Sequence, residues 1–249
     1  MGLEEEEAMT AEVHEIAPNI FRISQFLEGA APVEFSQFLI KADKPLMFHT
    51  GSKALFPDTL EAVKKVLDPR DLAYISWSHL ESDECGALND FLAAAPNAEP
   101  VAGMVTSLIG NDEFFSKKAK PMMDDNVLDL GDKKLRFLIT PHVPHAWDAI
   151  MVFEETTRTL FVSDLFTVFG KPPAVTDKDM IEQSISALRS LPGYLPIGPH
   201  TSAVFDRLIG LDPKVIAGHH SAAYTGNAVR ALKDLRGELY KEAGIPVPN

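Results

Sequence analysis

The chain has 249 residues, 45% of them hydrophobic, and a formal net charge of −13 at pH 7. This acidity argues against nucleic acid and anionic membrane surfaces as partners, because both select basic patches. With one cysteine, no apolar run near the ~18 residues that span a bilayer and no signal-peptide pattern, the sequence predicts a cytoplasmic protein that binds no membrane and has no intrachain disulfide.

The first half of the chain predicts strands followed by helices. The acidic run Glu4–Glu7 predicts a flexible tail over residues 1–10. An apolar stripe predicts a helix over Phe56–Leu67 that ends before Pro69, and a second helix over Gly86–Ala95. Apolar runs predict five strands in this half: Asn19–Leu27, Phe35–Lys41, Pro45–His49, Leu72–Trp77 and Pro100–Ala102.

The second half repeats this plan. Thr176 and Asp179 resemble a capping box and predict the start of a helix there. Two further helices are predicted over Ser202–Leu211 and Asn227–Glu242, with the strand Lys214–Ala217 between them. Four strands in hairpins precede the helices: Val127–Leu130, Lys134–Ile139, Ile150–Glu154 and Thr159–Val162.

Two runs of strands, each followed by helices, predict two sheets packed face to face with helices outside. No low-complexity linker divides the chain. We therefore predict an α/β fold, an αββα four-layer sandwich that forms one domain over residues 1–249.

The segment after the strand Leu72–Trp77 carries one imidazole and three carboxylates, from His79, Glu81, Asp83 and Glu84. Such closely spaced acids repel one another unless a cation neutralises them, as a bound metal ion does. The alternative is a solvated turn whose acids stabilise the first turn of a helix. The next residue, the lone cysteine, is not predicted to be a ligand, because neighbouring carboxylates raise the pKa of a thiol.

Three other predicted strands also end in histidine or aspartate. His142 and His145 follow one strand, Asp164 follows a second, and His219 and His220 follow a third. Strand ends in layered sheets converge on one edge, so these side chains predict a site shared with the acidic loop. The predicted metal ligands are His79, Glu81, Asp83, Glu84, His145, Asp164 and His219.

Seven donors suit two metal ions, with Asp164 as the natural bridge, and an oxygen-rich set favours iron or manganese over structural zinc. The remaining histidines receive other roles. His14 and His49 are expected to be structural or surface groups, and His142 and His220 to orient ligands from outside the coordination sphere. His200 either lines the site or caps the helix that follows it.

The motif from His79 to Glu84 (His-x-Glu-x-Asp-Glu), with His145, Ser163-Asp164 and Gly218-His219, resembles the flavodiiron proteins. It resembles more closely the stand-alone oxygen-binding diiron proteins, which have a metallo-β-lactamase fold. The resemblance implies two iron ions that bind O2 or NO, and a homodimer is common in the family. It places the first iron among His79, Glu81, His145 and Asp164, and the second among Asp83, Asp164 and His219.

Two departures from the family pattern bear on function. Where the family usually has histidine, this chain has Glu84, which either binds the second iron and lowers its reduction potential or turns away. The chain is also expected to lack the FMN domain of flavodiiron enzymes, so reduction of O2 or NO would need an external electron donor of the flavodoxin or rubredoxin type. Both sensing and reduction of the ligand stay open.

Two other functions compete with the diiron interpretation. A dinuclear hydrolase of the metallo-β-lactamase superfamily is the main alternative, but Glu81 argues against it, because an added anionic donor weakens the Lewis acidity that hydrolysis needs. A scaffold that has lost metal binding through Glu84 is the other. The six remaining ligand candidates argue against that reading.

Overall fold

The protein is described here by a computed structural model that covers residues 11–29 and 31–247. The acidic run Glu4–Glu7 and the predicted tail over residues 1–10 lie outside the described residues. The described chain forms two seven-stranded sheets. Within those residues, no helix is long and apolar enough to cross a bilayer.

The first sheet has its strands in chain order. Its first four strands pair antiparallel and its last four pair parallel. Helices connect the parallel strands, because a parallel neighbour cannot be reached by a tight turn. Its elements are β1 (Glu12–Ala17), β2 (Ile20–Leu27), β3 (Val33–Ile40), β4 (Leu46–Phe48), α1 (Phe56–Lys64), β5 (Tyr74–Ser76), α2 (Ser82–Cys85), α3 (Leu88–Ala94), β6 (Glu99–Gly103), α4 (Met104–Gly110) and β7 (Lys120–Met122).

The second sheet begins with the predicted hairpins, which the structure confirms as four antiparallel strands, β8 to β11. The order across the sheet is β12-β14-β13-β11-β10-β9-β8, with β13 parallel to β11. Its elements are β8 (Val127–Asp129), β9 (Lys134–Ile139), β10 (Ile150–Glu154), β11 (Thr159–Ser163), β12 (Val175–Thr176), α5 (Ile181–Ser190), α6 (Thr201–Gly210), β13 (Val215–Gly218), β14 (Ala223–Tyr224) and α7 (Ala228–Glu242).

Three apolar cores separate four layers of structure. The central core packs one sheet on the other, for example Phe38 and Phe48 of the first sheet against Phe161 of the second. A second core lies between the first sheet and α1 and α3, and a third between the second sheet and α5, α6 and α7. The αββα sandwich predicted from the order of elements is therefore confirmed.

The predicted capping box at Thr176 and Asp179 is wrong. Thr176 lies in β12, where its backbone pairs with Tyr224 of β14, and α5 begins only at Ile181. The Asp179 carboxylate still accepts a hydrogen bond from the Ile181 amide at 2.8 Å, so it satisfies one free amide of the first turn. The helix predicted over Gly86–Ala95 is also preceded by a separate short turn, α2.

Candidate metal centre

The candidate metal centre lies where strands of both sheets end. His79 follows β5, Asp164 follows β11 and His219 follows β13, while His145 lies in the loop between β9 and β10. Glu81 occupies the position before α2. The strands are buried and rigid, so these loop residues are held in place by the scaffold.

The first group of donors contains His79, Glu81, His145 and Asp164, whose donor atoms all lie within 4.8 Å of one another. The Glu81 Oε2 atom is 2.8 Å from His79 Nε2 and 3.0 Å from His145 Nε2. The Asp164 Oδ2 atom is 3.2 Å from His145 Nε2 and 3.6 Å from His79 Nε2. Two donors that share one ion at ~2.1 Å lie roughly 3–3.5 Å apart, so the group has the dimensions of one coordination sphere.

The second group contains Asp83, His219 and His220, again within 4.8 Å. The Asp83 Oδ2 atom is 3.5 Å from His219 Nε2 and 3.3 Å from His220 Nε2. His220 Nε2 also lies 3.4 Å from Oδ1 of Asp164. Sequence reasoning gave His220 only an orienting role outside the coordination sphere, whereas the structure places its ring nitrogen among the donors.

Asp164 connects the two groups. Its Oδ2 atom faces His79 and His145, and its Oδ1 atom faces His220. The carboxylate is buried, and Oδ1 has no hydrogen-bond partner among the described residues. One carboxylate that presents a separate oxygen to each group has the geometry of a bridge between two ions.

Glu84 points its carboxylate into the same buried space. It forms a third close group with Glu81 and Asp83, and its Oε1 atom is 3.9 Å from His79 Nε2. Neither carboxylate oxygen has a hydrogen-bond partner within the described chain. Burial and the charges of Asp164, Asp83 and Glu81 raise the pKa of Glu84 well above its usual value. A nearby cation would offset both effects.

The carboxylates of Glu81 and Asp83 keep a low pKa. Hydrogen bonds from His145 and His79 lower the pKa of Glu81 to about 2. Burial alone would raise the pKa of Asp83, but the imidazoles of His219 and His220, 3.5 Å and 3.3 Å from its Oδ2 atom, hold it well below the usual range. Both side chains are therefore anionic at neutral pH, which is the form that binds metal.

Backbone and hydroxyl groups orient the imidazoles from behind. The Nδ1 atom of His219 lies 2.7 Å from the Ser36 carbonyl, and that of His220 lies 2.9 Å from the Glu34 carbonyl. The Nδ1 atom of His79 lies 2.9 Å from the Ser78 hydroxyl. This arrangement is typical of metal-binding histidines, because the bond at one nitrogen fixes the ring and leaves the other nitrogen for the ion.

Asp148 is a supporting residue to which sequence reasoning assigned no role. It is buried, and its Oδ2 atom accepts hydrogen bonds from the Leu80 amide and the Thr106 hydroxyl, both at 3.0 Å. Leu80 stands between His79 and Glu81, so Asp148 holds the loop that presents both ligands. The only signal in the sequence is its position three residues after His145.

The remaining histidines and the cysteine lie outside the donor groups formed by the described residues. His14 and His142 are exposed. His200 stands at the N-terminus of α6, but its side chain caps no amide of the described chain. Burial, more than the neighbouring carboxylates, raises the pKa of the Cys85 thiol to about 12, so the expectation that it is not a thiolate ligand agrees with the structure.

The residues present fit a pair of divalent cations. Four carboxylates and four imidazoles converge, and buried donor atoms of Glu84, Asp164 and His219 have no hydrogen-bond partner among the described residues. Unpaired buried polar atoms are costly, and four carboxylate charges balance two divalent ions. The set opens to solvent at Glu81, whose side chain is 48% exposed.

An aromatic ring lies beside the first group of donors: the centroid of the Tyr194 ring is 4.7 Å from that of the His145 imidazole.

A protein-family model described as ODP family beta lactamase matches residues 33–221, which is more than half of the chain. The chain belongs to this family. Its fold and its relatives are those of the flavodiiron proteins, which agrees with the resemblance seen in the sequence. The matched range begins at β3 and ends just after His220, so it contains every donor of the candidate metal centre.

Two curated relatives illustrate the similarity. The chain is 26% identical over 220 residues to the flavo-diiron protein FprA2 of Clostridium acetobutylicum, a match that covers 82% of this chain and 54% of that protein. It is 27% identical over 136 residues to the anaerobic nitric oxide reductase flavorubredoxin of Salmonella typhi, covering 53% and 28% respectively. The chain thus spans about half or less of the length of these relatives.

Solved structures share the fold. A fragment of the putative diflavin flavoprotein A 5 of Nostoc sp. superimposes with a TM-score of 0.81 at 18% identity, covering 96% of this chain and all of that fragment. The rubredoxin oxygen:oxidoreductase of Desulfovibrio gigas superimposes with a TM-score of 0.76 at 15% identity, covering 90% and 60%. At these identities the likeness concerns the metallo-β-lactamase-like fold alone.

Proposed function

We propose that this chain is a non-haem diiron protein that binds O2 or NO at the candidate metal centre. The observation that carries this proposal is the position of Asp164, whose two carboxylate oxygens face two separate groups of donors. The names of the relatives support the choice of ligand, since one is a nitric oxide reductase and another an oxygen:oxidoreductase.

The first ion would be held by His79, Glu81, His145 and Asp164. The second would be held by Asp83, His219 and His220, with Asp164 and Glu84 as further donors beside them. Iron fits better than zinc, because the donors are rich in carboxylate oxygen and contain no thiolate. When bound, a reduced iron pair would supply electrons for a diatomic ligand, which the protein side chains alone cannot do.

The protein's own residues prepare the centre for this chemistry. Carbonyl and hydroxyl groups hold the Nδ1 sides of His79, His219 and His220, so their Nε2 atoms would be free to bind the ions. His79, Glu84 and Asp164 are buried and exclude bulk water from the space between the donor groups. A small ligand would reach the centre from the side of Glu81, which is the most exposed of the donor side chains in the first group.

We further propose that electrons arrive from an external donor of the flavodoxin or rubredoxin type. The names of two similar proteins, a flavorubredoxin and a rubredoxin oxygen:oxidoreductase, support this class of donor. The donor would approach the open side of the centre at Glu81. An electron-accepting centre fits both catalytic reduction of the ligand and reversible sensing of it.

The deciding experiment is metal analysis of protein purified without oxygen, with an optical spectrum before and after exposure to O2 or NO. Two iron ions per chain and a ligand-dependent spectral change are expected. Two zinc ions, with efficient hydrolysis of a lactam or thioester, would overturn the proposal in favour of a dinuclear hydrolase.

An oxygen electrode then separates reduction from sensing. With NADH alone, little oxygen consumption is expected. Reduced flavodoxin, or rubredoxin with its reductase, should sustain consumption if the protein is the metal-containing part of a reductase. If the same donors reduce the centre without sustained consumption, the protein is a sensor.

A further inference from the structure

Arg22 is a buried arginine on β2 that lies outside the donor groups of the described residues. Its Nε atom donates a hydrogen bond to the Ser36 hydroxyl at 3.0 Å, and its Nη1 atom donates one to the Ser24 hydroxyl at 3.3 Å. Its Nη2 atom binds the Glu34 carboxylate. Each of the three nitrogens thus has a partner, and all of these partner side chains are buried as well.

The register of the β2–β3 hairpin shows how far the Arg22 side chain reaches. Arg22 is paired with Phe38, whereas Ser24 is paired with Ser36 one step closer to the turn of the hairpin. The Arg22 side chain runs past that serine pair toward the turn and ends at Glu34. Because the guanidinium is a rigid planar fork, it holds the side chains of two β3 residues, Glu34 and Ser36, at one fixed spacing.

The backbone carbonyls of Glu34 and Ser36 are the groups that orient two imidazoles of the second donor group. The Nδ1 atom of His220 lies 2.9 Å from the Glu34 carbonyl, and that of His219 lies 2.7 Å from the Ser36 carbonyl. Strand β4 pairs only with Phe38–Ile40, so it ends before it reaches these carbonyls. The two imidazoles therefore bond to a part of β3 that β4 does not support.

Folding stability alone does not require a charged pair at this place. Phe38, which lies opposite Arg22 and on the same face, packs in the central apolar core, so apolar side chains suit this face of the hairpin. Apolar residues of similar volume often replace a buried ion pair with no loss of stability. What they cannot supply is a set of directed bonds to both Glu34 and Ser36.

We infer that Arg22 is a positioning residue for the second ion. Together with Glu34, it fixes the segment of β3 whose carbonyls orient His219 and His220, and so prepares both rings before the ion arrives. This inference rests on the proposed function, because it requires an ion at the second position.

The first ion should not depend on Arg22. Among the described residues, neither His79 nor His145 forms a hydrogen bond with β3. The Nδ1 atom of His79 lies 2.9 Å from the Ser78 hydroxyl, and the Nε2 atoms of both rings face Glu81. A loss of Arg22 should therefore weaken the binding of one ion and spare the other.

The test replaces the buried pair by apolar residues of similar size, in the double variant Arg22→Met, Glu34→Met of the full chain. Its matched control is Arg189→Met, Glu242→Met, which removes an exposed ion pair between α5 and α7. Urea unfolding of the metal-free proteins measures stability, and anaerobic titration with Fe(II) against a chelator measures the affinity for each ion.

The wild type and the control should bind two Fe(II) ions with the same affinities. The Arg22→Met, Glu34→Met protein should unfold at the wild-type urea concentration and bind the first ion normally. It should bind the second ion ~10–100-fold more weakly, the usual effect of removing a group that orients a ligand.

Two further measurements separate positioning from a general effect on the fold. In Zn(II)-loaded protein with 15N-labelled histidine, the Nδ1 protons of His219 and His220 should exchange with water faster in the double variant, while that of His79 should be unchanged. Arg22→Lys keeps the charge beside Glu34 but lacks the fork, so it should fold normally and still bind the second ion more weakly than wild type.

The outcomes distinguish this inference from the proposed function. If the wild type fails to bind two ions, the proposed function is wrong. If the wild type binds two ions and Arg22→Lys or the double variant binds the second with wild-type affinity, Arg22 does not position its ligands, and the proposed function stands. Equal weakening of both ions would also overturn the inference, since it would reveal only a general loss of structure.

Discussion

His49 and His219 face each other through their Nδ1 atoms, which lie 3.1 Å apart on the buried side of the metal centre. The same atom of His219 lies 2.7 Å from the Ser36 carbonyl, so the proton of this contact belongs to His219. His49 must accept there and carry its own proton on Nε2, 3.0 Å from the Ser78 hydroxyl. The Ser78 hydroxyl also contacts His79. His49 and Ser78 therefore connect His79, a proposed ligand of the first ion, with His219, a proposed ligand of the second.

His49 is therefore predicted to control metal affinity without touching an ion. Burial and the charges of His219 and His79 lower the pKa of His49 well below its usual value, so it stays neutral and can accept the bond. His49→Leu removes both contacts and should weaken iron binding by ~10–100-fold in a chelator competition. His14→Leu makes the same change at an exposed position and should leave affinity unaltered.

The backbone at His49 requires a second variant. Its φ of 65° lies in the left-handed region, which leucine tolerates poorly and asparagine tolerates well. His49→Asn should restore the melting temperature lost in His49→Leu but not the affinity, because the shorter side chain cannot span Ser78 and His219. Wild-type affinity in both variants would show that the contact between the two histidines has no role in metal binding.

Glu154 offers a test of pH dependence away from the metal centre. Burial raises the pKa of Glu154, but hydrogen bonds from the Thr157 side chain and amide and from the Thr156 amide outweigh it and lower the pKa below the ordinary 4.5. A lowered folded-state pKa stabilises the protein above the unfolded pKa, and this contribution disappears as pH falls through the folded value.

Glu154→Gln should therefore reduce the free energy of unfolding by roughly 1–2 kcal/mol at neutral pH. The difference from wild type should shrink as pH falls below 4.5, where the wild-type carboxylate also becomes protonated. Urea unfolding across a pH series measures both effects, with Glu182→Gln on the exposed face of α5 as the control. If the difference in the free energy of unfolding between wild type and Glu154→Gln does not change with pH, the charged Glu154 carboxylate is not the source of the stabilisation.

Asp164 should matter more for metal content than Glu84. Asp164→Ala removes an oxygen from each donor group and should lower bound iron from two ions to less than one per chain. Glu84→Ala removes a donor proposed for the second ion only and should leave the first ion bound. Elemental analysis of both variants measures the difference. If the Asp164→Ala protein still binds two ions, the assignment of Asp164 as a bridging ligand is wrong.

The place of the metal centre could be predicted from the sequence because buried strands that end in histidine or aspartate are readable as a pattern. His79, Asp164 and His219 each follow such a strand, and their convergence needs only the layered fold. The edge strand β1 was not predicted, since half of its residues are exposed and its apolar residues form no continuous run. Strands β12 and β14 are two residues long and leave no pattern.

The direction of neighbouring side chains could not be predicted in the same way. In a strand, consecutive residues face opposite sides, which would admit either His219 or His220 to the site. Both lie in the turn after β13, where that alternation ends, and the structure directs both rings toward Asp83. The partnership of His49 with His219 spans 170 positions of the chain, so no local pattern contains it.

The last prediction concerns the carboxylate at position 84. Glu84→His replaces an anionic donor by a neutral one beside the second ion, which stabilises the reduced state relative to the oxidised state. The reduction potential of that ion should rise by about 60 mV or more, a tenfold change in a one-electron equilibrium. A redox titration of the diiron chromophore measures it. Asp90→Asn removes a charge from the first turn of α3, outside the donor groups of the described residues, and should shift the potential much less. An equal shift in both variants, or none in Glu84→His, would mean that Glu84 does not bind the ion and acts only as an acid at the start of a helix.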